Sequence, residues 1–119
     1  MSVNLFPPAY STAMSSTPGL GLTPISEPPK GVKVRYRWST TEGFFVTQDD
    51  ATLEISNHGP EFLTLAGKVY WSYDPGIQTG RGEKPVHISV LTENVKTGQP
   101  LARADFDLVF DGSVFRAAH

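Results

Sequence analysis

Apolar and polar residues alternate through most of this chain after residue 30. Gly31–Trp38 sets the pattern: Val32, Val34, Tyr36 and Trp38 alternate with Lys33, Arg35 and Arg37. Successive side chains of a strand point to opposite faces, so this spacing predicts a strand with one apolar face and one cationic face. Phe44–Thr47 predicts a short second strand. Ala51–Ser56 predicts a third, with Leu53 and Ile55 inward and Thr52 and Glu54 outward. Phe62–Tyr73 is the longest signal, with Leu63, Leu65, Val69, Trp71 and Tyr73 on one face and Gly67 marking a bulge. Val86–Thr92 sets Val86, Ile88 and Val90 against His87, Ser89 and Leu91. Leu101–Phe110 turns Ala102, Ala104, Phe106, Leu108 and Phe110 inward and Arg103, Asp105 and Asp107 outward, and Val114-Phe115 adds a final edge. Turn residues at Ser39–Gly43, Gln48–Asp50, Asn57–Pro60, Asp74–Gly76 and Asn94–Pro100 separate the runs. With no amphipathic helical period and no repeat, the pattern predicts an all-β protein. It would be a single small antiparallel sandwich or barrel of about six strands.

Composition changes the picture at the N-terminus. Six of the ten prolines, and only one charged side chain (Glu27), lie in the first 29 residues. A segment rich in Pro, Ser, Thr and Gly buries too little apolar surface to offset its ordering entropy. Residues 1–29 are therefore expected to be a flexible, disordered arm, with Pro28–Gly31 as the boundary to a β domain at residues 30–119. A chain of 119 residues suits one domain.

Other totals narrow the function classes. The absence of cysteine excludes disulfides, thiol catalysis and cysteine-based zinc sites. No apolar run is long enough to span a membrane, and the N-terminus lacks the basic and apolar regions of a signal peptide. A cytosolic protein is the simplest reading. A net charge of −2 gives no global attraction to nucleic acid.

The most specific short motif is Pro7-Pro8-Ala9-Tyr10, a Pro-Pro-x-Tyr sequence. Consecutive prolines pre-set a polyproline II helix, which WW domains dock in an aromatic groove while the tyrosine fills an adjoining pocket. Pro7, Pro8 and Tyr10 are thus candidate WW-binding residues. The alternative is a chance Pro-Pro in a linker, with Phe6 and Tyr10 packing on the domain.

Lys30, Lys33, Arg35 and Arg37 form a candidate ridge for phosphates of anionic lipid or RNA, which Arg81 and Lys84 of the glycine-rich segment could join. The favoured alternative is a solvated face paired across the sheet with acids such as Glu54, Asp105 or Asp107. His58, His87 and His119 lack the short paired spacing of zinc ligands and read as surface or turn residues. Asp105 and Asp107 share a strand face; two carboxylates can serve as acid and base, but here they read as keeping an outer face wet. Gly76–Gly82 has no phosphate-loop spacing. Tyr70, opposite Trp71, is the best placed of the aromatics to stack on a ligand. No nucleophile–base pair, metal set or cofactor motif can be named, so an enzyme is the least supported class.

A Pro-Pro-x-Tyr motif near a flexible N-terminus, followed by one cysteine-free domain, resembles the layout of matrix proteins of negative-strand RNA viruses, rhabdoviruses especially. Bornavirus-like matrix proteins are similar in length. In that family the motif is a late domain that recruits host WW-containing ubiquitin ligases for budding. The resemblance implies that role for Pro7, Pro8 and Tyr10, a self-associating β domain, and residence in the virion and at the cytoplasmic side of the host membrane. The chain departs from the family in lacking a lysine-rich arm and helices packed on the sheet. A small capsid subunit and a cellular WW-binding adaptor are the other readings.

Overall fold

The computed structural model describes residues 1–14, 17–25, 29–74 and 84–118. Among them there is no helix and there are eleven strands: β1 (Ser2–Phe6), β2 (Ala9–Tyr10), β3 (Leu20–Ile25), β4 (Val34–Thr40), β5 (Phe44–Gln48), β6 (Ile55–Gly59), β7 (Glu61–Thr64), β8 (Val69–Ser72), β9 (Val86–Asn94), β10 (Pro100–Phe110) and β11 (Phe115–Ala117). They form two antiparallel sheets. The five-stranded sheet has the order β1-β3-β8-β5-β6, and the six-stranded sheet the order β2-β11-β10-β9-β4-β7. The all-β character is as the alternation predicts; the strand number is nearly double.

The largest correction concerns the N-terminus. It is not a disordered arm. β1 pairs with β3 from Ser2↔Ile25 to Phe6↔Gly21, β3 pairs with β8, and β2 pairs with β11. Composition averaged over 29 residues hid a local alternation. Val3 and Leu5 pack on the core from β1, and Leu20 and Leu22 of β3 are fully buried. Gly21 lets β1 and β3 approach, since a Cβ there would collide with the Phe6 carbonyl oxygen.

Two strand assignments also need correction. Phe62–Tyr73 is not one strand. The chain leaves the six-stranded sheet after Thr64 and enters the five-stranded sheet at Val69. Leu63 and Leu65 therefore face solvent, while Val69, Trp71 and Tyr73 face the core. Ala51–Ser56 is not a strand with Leu53 and Ile55 inward. Residues 49–54 form a turn in which Asp49 Oδ1 accepts the Ala51 and Thr52 N–H groups, and the Leu53 N–H donates to the Asp49 carbonyl. Leu53 sits there at φ 60°, a left-handed conformation costing about 1–2 kcal/mol for a non-glycine residue. Leu53 and Ile55 end up exposed.

The core lies between the sheets. Trp71, Tyr73 and Phe115 pack ring against ring with centroids 4.8–5.4 Å apart, and Tyr10 meets Tyr73 edge-on at 5.9 Å. Trp38 and Phe45 pack beside Ile88, Val90 and Leu108.

Candidate functional site

Pro7 and Pro8 carry the chain from the edge of one sheet to the edge of the other. Neither supplies an N–H to a ladder, which suits a crossing point. Tyr10 is the first inward residue after that crossing. It is only 4% exposed, with its hydroxyl 3.5 Å from Ser72 Oγ. The following Thr12 N–H donates to the Tyr73 hydroxyl at 3.1 Å. Of the three candidate WW-binding residues, only Pro8 is exposed. Reaching Tyr10 would require β2 to leave the sheet.

The structure also divides the cationic set. Arg35 and Arg37 lie on the outer face of β4, and both converge on Glu93 of β9, at 2.9 and 3.1 Å. Cross-strand pairing of this face was foreseen, but the acid is neither Glu54 nor Asp105 nor Asp107. The signal for Glu93 was its place in the outward series His87, Ser89, Leu91. The two arginine hydrogen bonds, Arg37 first, hold the Glu93 carboxyl below its ordinary value of 4.5. Its stabilising contribution is present above pH 4.5 and lost as pH falls through the depressed value. Glu93→Gln is therefore expected to be less stable than wild type at neutral pH, with the gap closing in acid. Urea titrations across that range check this, and a gap independent of pH would contradict it.

Lys33 shares a pole of the molecule with Lys96, because the Val95 N–H donates to the Lys33 carbonyl at 3.0 Å. Lys30, Lys33 and Lys96 are exposed, and no ion pair joins them to an acid among the described residues. Lys84 is not part of this group. It approaches Glu42 at 3.8 Å, beyond the other end of β4, roughly 20 Å away along the strand. Arg81, the Gly76–Gly82 segment and His119 lie outside the described residues.

His87 is more than a solitary surface residue. Its Nδ1 lies 2.7 Å from Asp107 and its Nε2 3.0 Å from Asp105, and Arg103 binds Asp105 through two nitrogens. The register Asp107↔His87 and Asp105↔Ser89 puts this ring over two outward carboxylates, which explains the pairing. The Asp107 hydrogen bond, then that of Asp105, raises the His87 pKa above 6.5. The stability it adds is present below pH 6.5 and lost as pH rises through the raised value. His87→Gln should flatten that dependence, as read from melting temperatures at about pH 6 and about pH 8.5. A wild-type profile in the variant would contradict it. His58 is also engaged, bonded to Thr47 Oγ1 at 2.7 Å and stacked on Phe62. Tyr70 is half-buried with the Lys68 ammonium 4.9 Å from its ring centre. Among the described residues no group of three or more His, Asp or Glu is placed to hold a metal ion.

Several apolar side chains are left uncovered. Leu53, Ile55, Leu63 and Leu65 are 43–65% exposed. Ile55 is on β6 and Leu63 on β7, the edge strands of the two sheets, and Leu65 directly follows β7. Pro60 joins these strands across the sandwich, so one flank presents two open edges together with aliphatic side chains. Sequence reading turned Leu53 and Ile55 inward and set Leu63 and Leu65 on the face of Val69, Trp71 and Tyr73, because alternation reports which residues share a face and not which face is covered. No helix among the described residues is long and apolar enough to cross a membrane.

Compared with family models, curated proteins and solved structures, the chain matches none.

Proposed function

We propose that this protein is a non-catalytic structural subunit that associates with copies of itself through its β6/β7 flank. The observation that carries this reading is the concentration of Leu53, Ile55, Leu63 and Leu65 on and beside two edge strands, each open on one side. Natural sandwiches blunt such edges with lysine, proline or a covering loop. Here only Pro60 and Glu61 blunt the flank, and no lysine lies in Ile55–Thr64. Covering four half-exposed aliphatic side chains contributes about 4 kcal/mol per copy. Association costs about 4–15 kcal/mol in lost freedom. Two partners together thus gain about 8 kcal/mol, comparable to that cost, so a pair is weak and a lattice of many contacts gains more.

Matrix-type assembly is the member of this class that the sequence layout resembles. The Lys30, Lys33 and Lys96 pole would face anionic lipid headgroups in such an assembly, and recruitment of a WW-domain protein would require β2 to detach. Sedimentation velocity over a concentration series tests the main reading. Wild type is expected to shift to larger species, and Ile55→Lys with Leu65→Lys to stay monomeric; a monomeric wild type at every concentration overturns it. For the lysine pole, reversing all three charges should abolish flotation with anionic vesicles. Retained flotation, or binding to RNA alone, removes the lipid assignment.

A further inference from the structure

The sandwich has a second open flank, built like the first. β1 and β2 are consecutive, are the outer strands of their respective sheets, and are joined across the sandwich at Pro7-Pro8, as β6 and β7 are joined at Pro60. We infer that copies assemble head to tail, with the β6/β7 flank of one copy seated on the β1/β2 flank of the next. This rests on the self-association proposed above and specifies its polarity.

Shape and charge both favour the unlike pairing. The β1/β2 flank holds a depression of about 340 Å³ lined by Leu5, Pro8, Arg116 and Ala117. Phe6, 71% exposed, follows Leu5 on β1 but turns to the other side, where it lines a separate depression with Pro7, Lys68 and Tyr70. The Leu5 depression is an apolar recess with the Arg116–Asp111 ion pair at its rim. The β6/β7 flank offers the counterpart, projecting leucine and isoleucine side chains. Neither β1 nor β2 contains a charged residue, and Arg116 on neighbouring β11 is held 2.7 Å from Asp111. The β6/β7 flank carries four exposed acids, Asp49, Asp50, Glu54 and Glu61, against the neighbouring cations Arg37, opposite Leu63, and Lys68, beside Asp50. Pairing that flank with itself would set acids against acids across a desolvated apolar contact, and like-charge juxtaposition is strongly disfavoured. A flank whose strands are uncharged, and whose margin holds an arginine already paired with Asp111, meets the same acids with less repulsion. Free edges on both flanks also allow β1 of one copy to extend the five-stranded sheet of another beside β6, since both are outer strands of that sheet. A contact between unlike surfaces repeats, giving an open filament or a closed ring rather than a dimer.

The test uses variants that each block one flank of the full-length chain. Ile55→Lys with Leu65→Lys blocks the β6/β7 flank; Asn4→Glu with Phe6→Glu blocks the β1/β2 flank. All four positions are exposed, and circular dichroism confirms that each variant is folded. Arg116→Glu is a second block of the β1/β2 flank that leaves β1 untouched. Each variant alone should be monomeric. Mixed, opposite variants should form a one-to-one complex and nothing larger, at least tenfold tighter than either with itself. If the β1/β2 variants associate like wild type while the β6/β7 variant does not, the contact is symmetric and the head-to-tail inference is overturned, with self-association intact. If wild type associates but the mixed variants do not, the two flanks do not meet. If wild type is monomeric throughout, both readings fall.

Discussion

Replacing Tyr10 with alanine is expected to destabilise the fold by about 3–4 kcal/mol and to lower the melting temperature by on the order of 15 °C. The ring is 4% exposed and stands edge-on to Tyr73 at an interplanar angle of 80°. Tyr73 in turn packs on Trp71 and Phe115. Truncation leaves a ring-sized cavity at the point where β2 and β11 close the six-stranded sheet, and the surrounding aromatics are too rigid to fill it. Tyr10→Phe removes only a long hydroxyl contact to Ser72 and should cost less than about 1 kcal/mol. Pro8→Ala, at an exposed position, should cost less still. The same burial governs WW recognition. A synthetic peptide spanning Asn4–Ala13 should bind WW domains that the intact folded chain does not. An unchanged melting temperature in Tyr10→Ala, or equal capture of peptide and intact chain, would contradict this account and return the motif to an exposed role.

That result bears on how far a sequence can be read. A polarity difference between the two sets made the face assignment legible on the long paired strands, though not at Ala51–Ser56, where Leu53 and Ile55 are exposed. β9 and β10 are the clearest cases, with Val86, Ile88, Val90 and Leu108 buried and His87, Arg103 and Asp105 outside. Where both faces are uncharged, the pattern failed. Ser2–Phe6 and Leu20–Ile25 contain no ionisable side chain, so the prolines and glycines within and around them dominated the reading and suggested disorder. In the structure those residues serve geometry: Pro7-Pro8 make the corner between sheets, and Gly21 admits the neighbouring strand.

The candidate sites divide along the same line. That Arg35 and Arg37 are paired on an outer strand face was legible from alternation, but the identity of their partner depended on register. Val34↔Asn94 and Arg35↔Glu93 are set by the β4–β9 ladder, which no local pattern encodes. The His87 pairing was hidden for the same reason. The aliphatic flank was misread because Leu53, Ile55, Leu63 and Leu65 have the composition of a core. Only strand order shows that β6 and β7 lie at sheet edges, where nothing among the described residues covers them.

The second large effect is expected at the turn between β4 and β5. Gly43 adopts φ 79°, and a Cβ there would sit 2.5 Å from the Ser72 carbonyl oxygen and 2.6 Å from Trp71 Nε1. The Trp71 Nε1–H donates to the Glu42 carbonyl at 2.9 Å and to Thr40 Oγ1 at 3.2 Å, so the turn closes directly onto the buried indole. Gly43→Ala should therefore combine left-handed strain with a steric clash, at about 2–4 kcal/mol. Trp71→Ala, which empties the centre of the aromatic cluster, should cost about 3–5 kcal/mol. Either value is a large fraction of the 5–15 kcal/mol by which domains of this kind are stable, so Trp71→Ala alone should leave the chain substantially unfolded at 37 °C or close to it. The two should not add. Removing the indole relieves one of the clashes a Cβ at position 43 creates and leaves the other, against the Ser72 carbonyl. The double variant should therefore be more stable than the sum of the single effects by about 1 kcal/mol. Urea titrations of the four proteins measure this coupling. Strict additivity would show that the turn and the indole are independent, and a tolerated Trp71→Ala would show that the fold does not depend on this aromatic cluster.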